Sequence, residues 1–375
     1  MSKVILISNI PLPFPNIGSW STLYHNYLSK QHDVDYIICP KPNSEYVGIE
    51  YGFAENNSID KLRKKLFGKD YNEYLMPLKK MIRPGEKYII QVIDNPGIVR
   101  SLGEFLNSQG WRDQCYVQFF HHGFGPFFSN HASKRFFMHV DEMVVLTKAS
   151  YHFFKEYYGT MTSRFSVLSN GIDTQKFYAV STEKKQQLKH TFNASGKTVF
   201  LWCSQDRPKK GLSLILDVWK KIYAQQRDIE LWIVGADRKI HIDGVRFFGR
   251  IPNNELPGIY QASDVFLFPT LCYEGFGMAL IEALHCGNFC IASAFGGVPE
   301  VLEFGALGML VQNPNFVSDW EMAINQYLAS ERIAPQISRE VYSTSQWNSG
   351  MNAIIDKAKR SIEGRQYLRN AANQI

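Results

Sequence analysis

The stretch Tyr273-Glu274-Gly275-Phe276-Gly277-Met278-Ala279-Leu280-Ile281-Glu282-Ala283-Leu284 follows an apolar run, Asp264 to Pro269, so a strand, a glycine-rich turn and a helix come in order. Gly275 and Gly277 let the backbone bend and approach a ligand closely, and the free N–H groups at the helix start offer a site for phosphate oxygens. Glu274 stands just before the helix, where it can accept hydrogen bonds from sugar hydroxyls; Glu282 lies two turns further along and can receive a ribose diol. Taken singly, the first acid reads as a helix cap and the second as a solvated face. Their company argues otherwise. Glu282 sits between Ile281 and Ala283-Leu284, where an unpaired carboxylate is costly, and Cys286-Gly287 ends the helix before the next buried strand. Phe295-Gly296-Gly297-Val298-Pro299-Glu300-Val301 then makes a second glycine turn at the same edge of the sheet.

Outward from this unit, the same rhythm fills the chain. Strand-like runs at Val199 to Cys203, Leu231 to Val234, Val245 to Phe248, Val265 to Phe268 and Phe289 to Ala292, with a helix over Leu212 to Tyr223, describe a parallel sheet. The first half repeats the pattern at Val4 to Ile7, Val34 to Cys39, Tyr88 to Ile93, Tyr116 to Phe120, Met143 to Leu146 and Phe165 to Leu168. The fold class expected is α/β, two Rossmann-like domains over residues 1–172 and 190–350, joined through Asn170-Gly171-Ile172-Asp173, with a deep cleft between the facing strand ends. A final helix from about residue 352 to 375 is expected to pack back on the first domain. The length of 375 residues suits two domains.

At this point the sequence resembles the retaining glycosyltransferases of GT-B architecture, group 1 (glycosyltransferase family 4). The residues that carry the resemblance are E-G-F-G-x-x-x-x-E from Glu274 to Glu282, the G-G-x-P-E turn from Gly296, the interdomain N-G-I-D from Asn170, and Phe248-Gly249-Arg250-Ile251-Pro252, which looks like the family's base-binding loop. The resemblance implies that Glu274 binds the donor sugar, Gly275, Phe276 and Gly277 the diphosphate, Glu282 the ribose, and backbone near Arg250 and Ile251 the nucleobase. It aligns Lys210 with the lysine of R-x-x-x-x-K-G. The arginine of that motif is replaced by Gln205, and its role is assigned to Arg207. Apart from the resemblance, an arginine and a lysine at these strand ends would neutralise a departing diphosphate without a metal ion, while Lys209 reads as a solvated loop charge. His122, before Gly123, looks like the family's H-G turn that meets donor sugar or phosphate; His121 reads as packing or as a support for its neighbour. Gly18, in the loop after the first strand, stands where relatives place paired glycines near the donor phosphate.

Other features exclude alternatives. Asp33 and Asp35 have D-x-D spelling but stand at a strand start and read as surface charge, so no metal ion or cofactor is expected, the nucleotide-sugar being a co-substrate. Six cysteines without C-x-x-C pairing or zinc-site histidines read as reduced, buried thiols, and Cys286 and Cys290 are aimed apart by a helix end and a strand start. Paired carboxylates for glycoside hydrolysis would have to flank one bond, whereas one helix separates these two. A net charge of +6 is compatible with phosphates or an anionic membrane and no nucleic-acid reader motif is present. Lys61 to Phe67 and Leu78 to Arg83 mix basic and apolar residues, as an ordinary amphipathic surface helix or a helix on anionic lipid would. A first core strand in place of a secretion signal points to the cytoplasm, with the inner membrane face as a further location.

The function expected is transfer of a sugar with retention from a nucleotide-sugar, UDP preferred over GDP, to an acceptor hydroxyl on a glycan or lipid-linked acceptor in polysaccharide, lipopolysaccharide or glycolipid assembly. A nucleotide-sugar epimerase of the same architecture and a nonenzymatic nucleotide-sugar-binding protein are the alternative readings.

Overall fold

A computed structural model describes residues 2–14, 19–30, 32–55, 71–330 and 334–372. The chain divides into two compact units, Met1–Ser169 with Trp347–Ile375, and Asn170–Gln346.

In unit 1 the strands are β1 (Lys3–Ser8), β2 (Tyr36–Cys39), β3 (Glu50–Phe53), β4 (Tyr88–Ile93), β5 (Cys115–His121), β6 (Glu142–Val145) and β7 (Arg164–Val167), and the described helices α1 (Ser19–Leu28), α2 (Asn72–Met81), α3 (Pro96–Ser108), α4 (Asn130–His139) and α5 (Lys148–Tyr157) alternate with them. They form one parallel sheet in the order β3-β2-β1-β4-β5-β6-β7. The runs Val4 to Ile7 and Tyr88 to Ile93 are continuous apolar sequence because helices cover both faces of central parallel strands. On one face Ile5, Ile7, Ile90 and Val92 pack under α2 to α5; on the other Val4, Leu6, Ile89 and Ile93 pack under α1 and the last helix. Strand β3, Glu-Tyr-Gly-Phe, is absent from the sequence reading, since a short edge strand has neither an apolar run nor a buried face to mark it.

In unit 2, α6 (Thr182–Thr191) precedes β8 (Thr198–Cys203), α7 (Leu212–Gln225), β9 (Ile229–Val234), β10 (Val245–Gly249), α8 (Leu256–Ala262), β11 (Val265–Phe268), α9 (Met278–His285), β12 (Phe289–Ser293), α10 (Val298–Val301), β13 (Gly308–Val311) and α11 (Val317–Leu328). The parallel order β10-β9-β8-β11-β12-β13 reverses direction between β8 and β11, so the loops leaving these two strands open side by side. Phe200, Trp202, Leu231 and Leu267 pack against Ile215, Trp219 and Trp320 of α7 and α11. The last helix, α12 (Thr344–Ala372), is longer than the sequence indicates, and Trp347, Met351, Ile355 and Ala358 are buried in unit 1.

That helix is fastened to the unit 1 sheet by polar groups. Glu142 is fully buried and accepts from Gln118 at 2.8 Å, from Ser166 at 2.5 Å and from Lys357 of α12 at 3.1 Å, so its charge is paired and hydrogen-bonded. The aspartates read as surface charge are exposed, Asp35, or half-buried, Asp33, and both have partners. Asp35 accepts from the Val4 backbone N–H at 2.7 Å and so ties β1 to the start of β2, while Asp33 pairs with Lys359 at 2.8 Å.

The basic segment Lys61 to Phe67 lies outside the described residues. In the second basic segment Leu78 and Ile82 are buried against the sheet while Lys79, Lys80 and Arg83 are exposed. Among the described residues no helix is long and apolar enough to cross a membrane.

Candidate functional site

The loop between β8 and α7 and the loop between β11 and α9 meet at the point where the strand order of unit 2 reverses. Gly211 makes the approach possible: its φ is +70°, and a Cβ there would lie 2.0 Å from the Pro269 carbonyl oxygen. The Leu271 N–H then donates to the Lys209 carbonyl at 2.8 Å, and the Trp202 indole N–H to the Lys210 carbonyl at 3.1 Å. With its backbone held twice, Lys210 extends Nζ to Glu274 Oε2 at 2.5 Å, and the two side chains are 21% and 24% exposed. The ammonium also lies 5.8 Å above the Phe268 ring. Charge-assisted, partly shielded and reachable, this pair is the centre of the site.

The second glycine turn supports the first. The Gly297 N–H donates to the Glu274 carbonyl at 2.8 Å, and Gly296, at φ +65°, lies against the Glu274 peptide so closely that a Cβ would be 2.3 Å from its oxygen. Glu274 is not a helix cap: α9 begins after Gly277, φ +90°, with no side-chain cap. Leu280 and Ile281 donate back to the Gly277 carbonyl, and the helix start follows directly from the buried Gly275 to Gly277 turn. Phe276 is 2% exposed and packs edge-on to Tyr342 at 5.2 Å, so a ligand at this turn meets its backbone and not its ring.

Glu282, two turns along α9, is half-buried. Burial pushes its carboxyl up from 4.5 to about 7, with the neighbouring Tyr260 hydroxyl acting in the opposite direction. That hydroxyl is itself buried without a direct hydrogen-bond partner among the described residues. Arg250 and Ile251 follow β10, where the Gly235 N–H donates to the Gly249 carbonyl at 2.7 Å and ties this loop to the end of β9; Arg250 is exposed and Ile251 half-buried.

Arg207 does not join the central pair. It is exposed, and among the described residues its backbone is engaged, the N–H with the Gln205 carbonyl at 2.8 Å and the carbonyl with the Lys210 N–H at 2.8 Å. Its neighbour Asp206 takes the fork of Arg238, from the loop after β9, at 2.8 and 2.7 Å, while Arg238 also donates to Ser213 at 3.1 Å. Arg238 therefore fixes the path of the Arg207 loop, a role that its separation of 32 positions from Asp206 conceals in the sequence. Among the described residues no group of three or more His, Cys, Asp or Glu side chains is gathered where it could hold a metal ion. The cysteines are free, and Cys203 and Cys272 are half-buried while the other four are buried.

In unit 1, His122 follows β5 and is held by Asp94, which follows β4. Asp94 accepts from the His122 backbone N–H at 2.8 Å and faces its Nδ1 at 3.0 Å, while the imidazole stacks on Trp20 at 5.5 Å. Burial would raise the Asp94 carboxyl, but hydrogen bonds from His121 and His122 outweigh it and hold the group well below the usual carboxylate range. An ionised partner requires a proton on Nδ1, which leaves Nε2 of neutral His122 as an acceptor. Asp94 adopts φ +45°, an uncommon backbone state for a residue with a side chain, and its place beside His122 was not visible in the sequence. His121 packs among Phe119, Phe127 and Phe154 and lies 3.7 Å from Asp94. Gly18 lies outside the described residues.

Residues 197–330 match the family described as glycosyl transferases group 1. Over 152 residues the chain is 28% identical to the phosphatidyl-myo-inositol mannosyltransferase of Mycobacterium tuberculosis, covering 38% of this chain and 39% of that protein; the chain thus spans about two-fifths of the length of this relative. Among solved structures, the sucrose-phosphate synthase of Thermosynechococcus elongatus superimposes with a TM-score of 0.70 over 96% of this chain and 100% of that one, at 17% identity. Anabaena HepE in complex with UDP and glucose does so with a TM-score of 0.67 over 95% and 100%, at 15% identity. At these identities the likeness is one of fold. Residues 197–330, which hold Lys210, Glu274 and Glu282, thus match the group 1 glycosyltransferase family, within a chain that has the GT-B fold of these structures.

Proposed function

We propose that the chain transfers a sugar, with retention at the anomeric carbon and without a metal ion, from a nucleotide-sugar to an acceptor hydroxyl in polysaccharide, lipopolysaccharide or glycolipid assembly. UDP is the preferred nucleotide over GDP. The observation that carries this reading is the Lys210–Glu274 pair at the switch point, beside a helix start with no side-chain cap. A diphosphate placed there meets the N–H groups of the Gly277 turn and the Lys210 ammonium, both suited to the charge that grows as the leaving group departs. Glu274 accepts from hydroxyls of the transferred sugar, and Glu282 accepts from the ribose two turns away. In unit 1, the Nε2 of His122 accepts from a sugar hydroxyl. Unit 2 is the donor-binding unit and unit 1 the acceptor unit.

The test is incubation of the full chain with a panel of UDP- and GDP-sugars, with and without glycan and lipid acceptors and in the presence of EDTA. Acceptor-dependent release of nucleotide, unaffected by EDTA and giving a product with the donor's anomeric configuration, is expected. Donor turnover without acceptor, or binding with no nucleotide released, would count against it.

The raised carboxyl of Glu282 gives a second expected outcome. Its folded value, about 7, lies above the ordinary 4.5, so in the free protein this group costs stability progressively as pH rises between those values, by on the order of 3 kcal/mol. Ionised, it accepts a ribose diol. Affinity for UDP should therefore rise about tenfold from pH 6 to pH 8, and titration calorimetry on Glu282→Gln should find that component of the rise gone.

A further inference from the structure

Where β5, β6 and β7 begin, at the opposite ends of these strands from the His122 edge, unit 1 carries a cavity of about 650 Å³. This is within the size range of small-molecule sites, roughly 300–1,000 Å³. Among the described residues four guanidinium groups line it, Arg112, Arg164, Arg360 and Arg365, against one carboxylate, Asp141. Asp141 is already saturated. It accepts from Arg112 at 2.9 and 3.1 Å, from Arg365 at 2.5 Å and from the Val117 backbone N–H at 2.7 Å. Among the described residues the guanidinium of Arg164, the first residue of β7, has only the neutral Ser361 hydroxyl, at 3.0 Å. Arg360 of α12 has no hydrogen-bond or ion-pair partner among the described residues, although it lines the same wall.

Among the described residues, four cations and one anion leave an excess of three positive charges around one cavity, a local field that favours an entering anion. A guanidinium fork matches the oxygens of a phosphate, and two forks free of carboxylate partners match its charge. The remaining wall is mixed, with the hydroxyls of Thr162 and Ser361 beside an apolar part. In that apolar part Tyr116 lies under the Arg365 guanidinium at 5.2 Å, beside Phe137, Val140 and the 61% exposed Met138. We propose that this cavity binds a phosphomonoester, its phosphate on the Arg164 and Arg360 forks and its organic part against Phe137 and Met138. Bound there, the ligand bridges β7 to the last helix.

Phenyl phosphate is the soluble probe, and phosphatidylcholine vesicles with and without phosphatidic acid are the lipid probe. Titration calorimetry and co-sedimentation compare the full chain with Arg164→Gln/Arg360→Gln. Saturable phenyl phosphate binding that weakens at least tenfold in the variant, with the thermal midpoint kept, supports the proposal and assigns a free phosphate ester if vesicles do not sediment. Sedimentation on phosphatidic acid vesicles that is lost in the variant supports it with a lipid headgroup as the source. Arg360→Gln alone carries the test if the double variant fails to fold, because the exposed Arg360 side chain has no hydrogen bond or ion pair among the described residues. No binding of either probe, or equal binding by wild type and variant, overturns it.

Discussion

Glu274→Gln should lower the rate of sugar transfer at least a hundredfold without unfolding the protein. The substitution keeps size and shape but removes the negative charge that faces Lys210 at 2.5 Å, and turns one of the two carboxylate oxygens that accept from sugar hydroxyls into an NH2 donor. Charged hydrogen bonds contribute about 1.5–3 kcal/mol, and the loss of one group aimed at a transition state costs roughly 10²–10³ in rate. Lys210→Ala should reach a similar loss through the leaving group. Because the two side chains touch, the double variant should be less impaired than the product of the single losses predicts. Steady-state kinetics with one donor and one acceptor, beside urea melts of each protein, measure all of this. Near-normal rates in both single variants would remove the pair from the mechanism.

Gly296→Val tests the support behind that carboxylate. The residue lies outside the loop that carries Glu274, yet its added Cβ would fall 2.3 Å from the Glu274 oxygen and 2.7 Å from its nitrogen, at a φ of +65° that a β-branched side chain scarcely adopts. Backbone must shift, and the Gly297 N–H bond to Glu274 at 2.8 Å shifts with it. A displacement of about 1 Å at a catalytic group costs on the order of a hundredfold, so kcat should fall by that factor. Strain of this kind also costs about 1–3 kcal/mol of stability, visible as an earlier urea midpoint. Gly258→Ala is the control, since no atom lies within 4 Å of a Cβ there and the backbone is helical. If Gly296→Val melts early but turns over at the wild-type rate, the second glycine turn is structural only.

The parts legible in the sequence are those in which burial leaves a continuous mark. Val4 to Ile7, Tyr88 to Ile93 and Val265 to Phe268 are central strands buried on both sides, and no other arrangement accounts for such runs between amphipathic stretches. The E-G-F-G turn and its two acids were legible because strand, turn and helix are contiguous there. Two of the four edge strands were not: β3 and β13 are four residues each and pair on one side only, whereas the edge strands β7 and β10 were found. Side-chain direction was equally hidden. Phe276 belongs to the motif, yet its ring turns into the core against Tyr342. Arg207 stands near the position of the missing arginine, but the Asp206–Arg238 clamp sets the path of its loop from a strand away. Asp94 reaches His122 only because β4 and β5 pair in register, with Ile93 beside Phe120, and because Asp94 adopts a left-handed backbone that nothing in its neighbours announces.

The central claim is that an activated sugar rests with its diphosphate on the uncapped start of α9. A crystal structure of the full chain with a bound UDP-sugar measures this directly. The account predicts diphosphate oxygens within hydrogen-bond distance of the Gly275–Gly277 backbone and of the Lys210 ammonium, with the ribose on Glu282. Density for the nucleotide elsewhere, with this turn and both acids untouched, would contradict it.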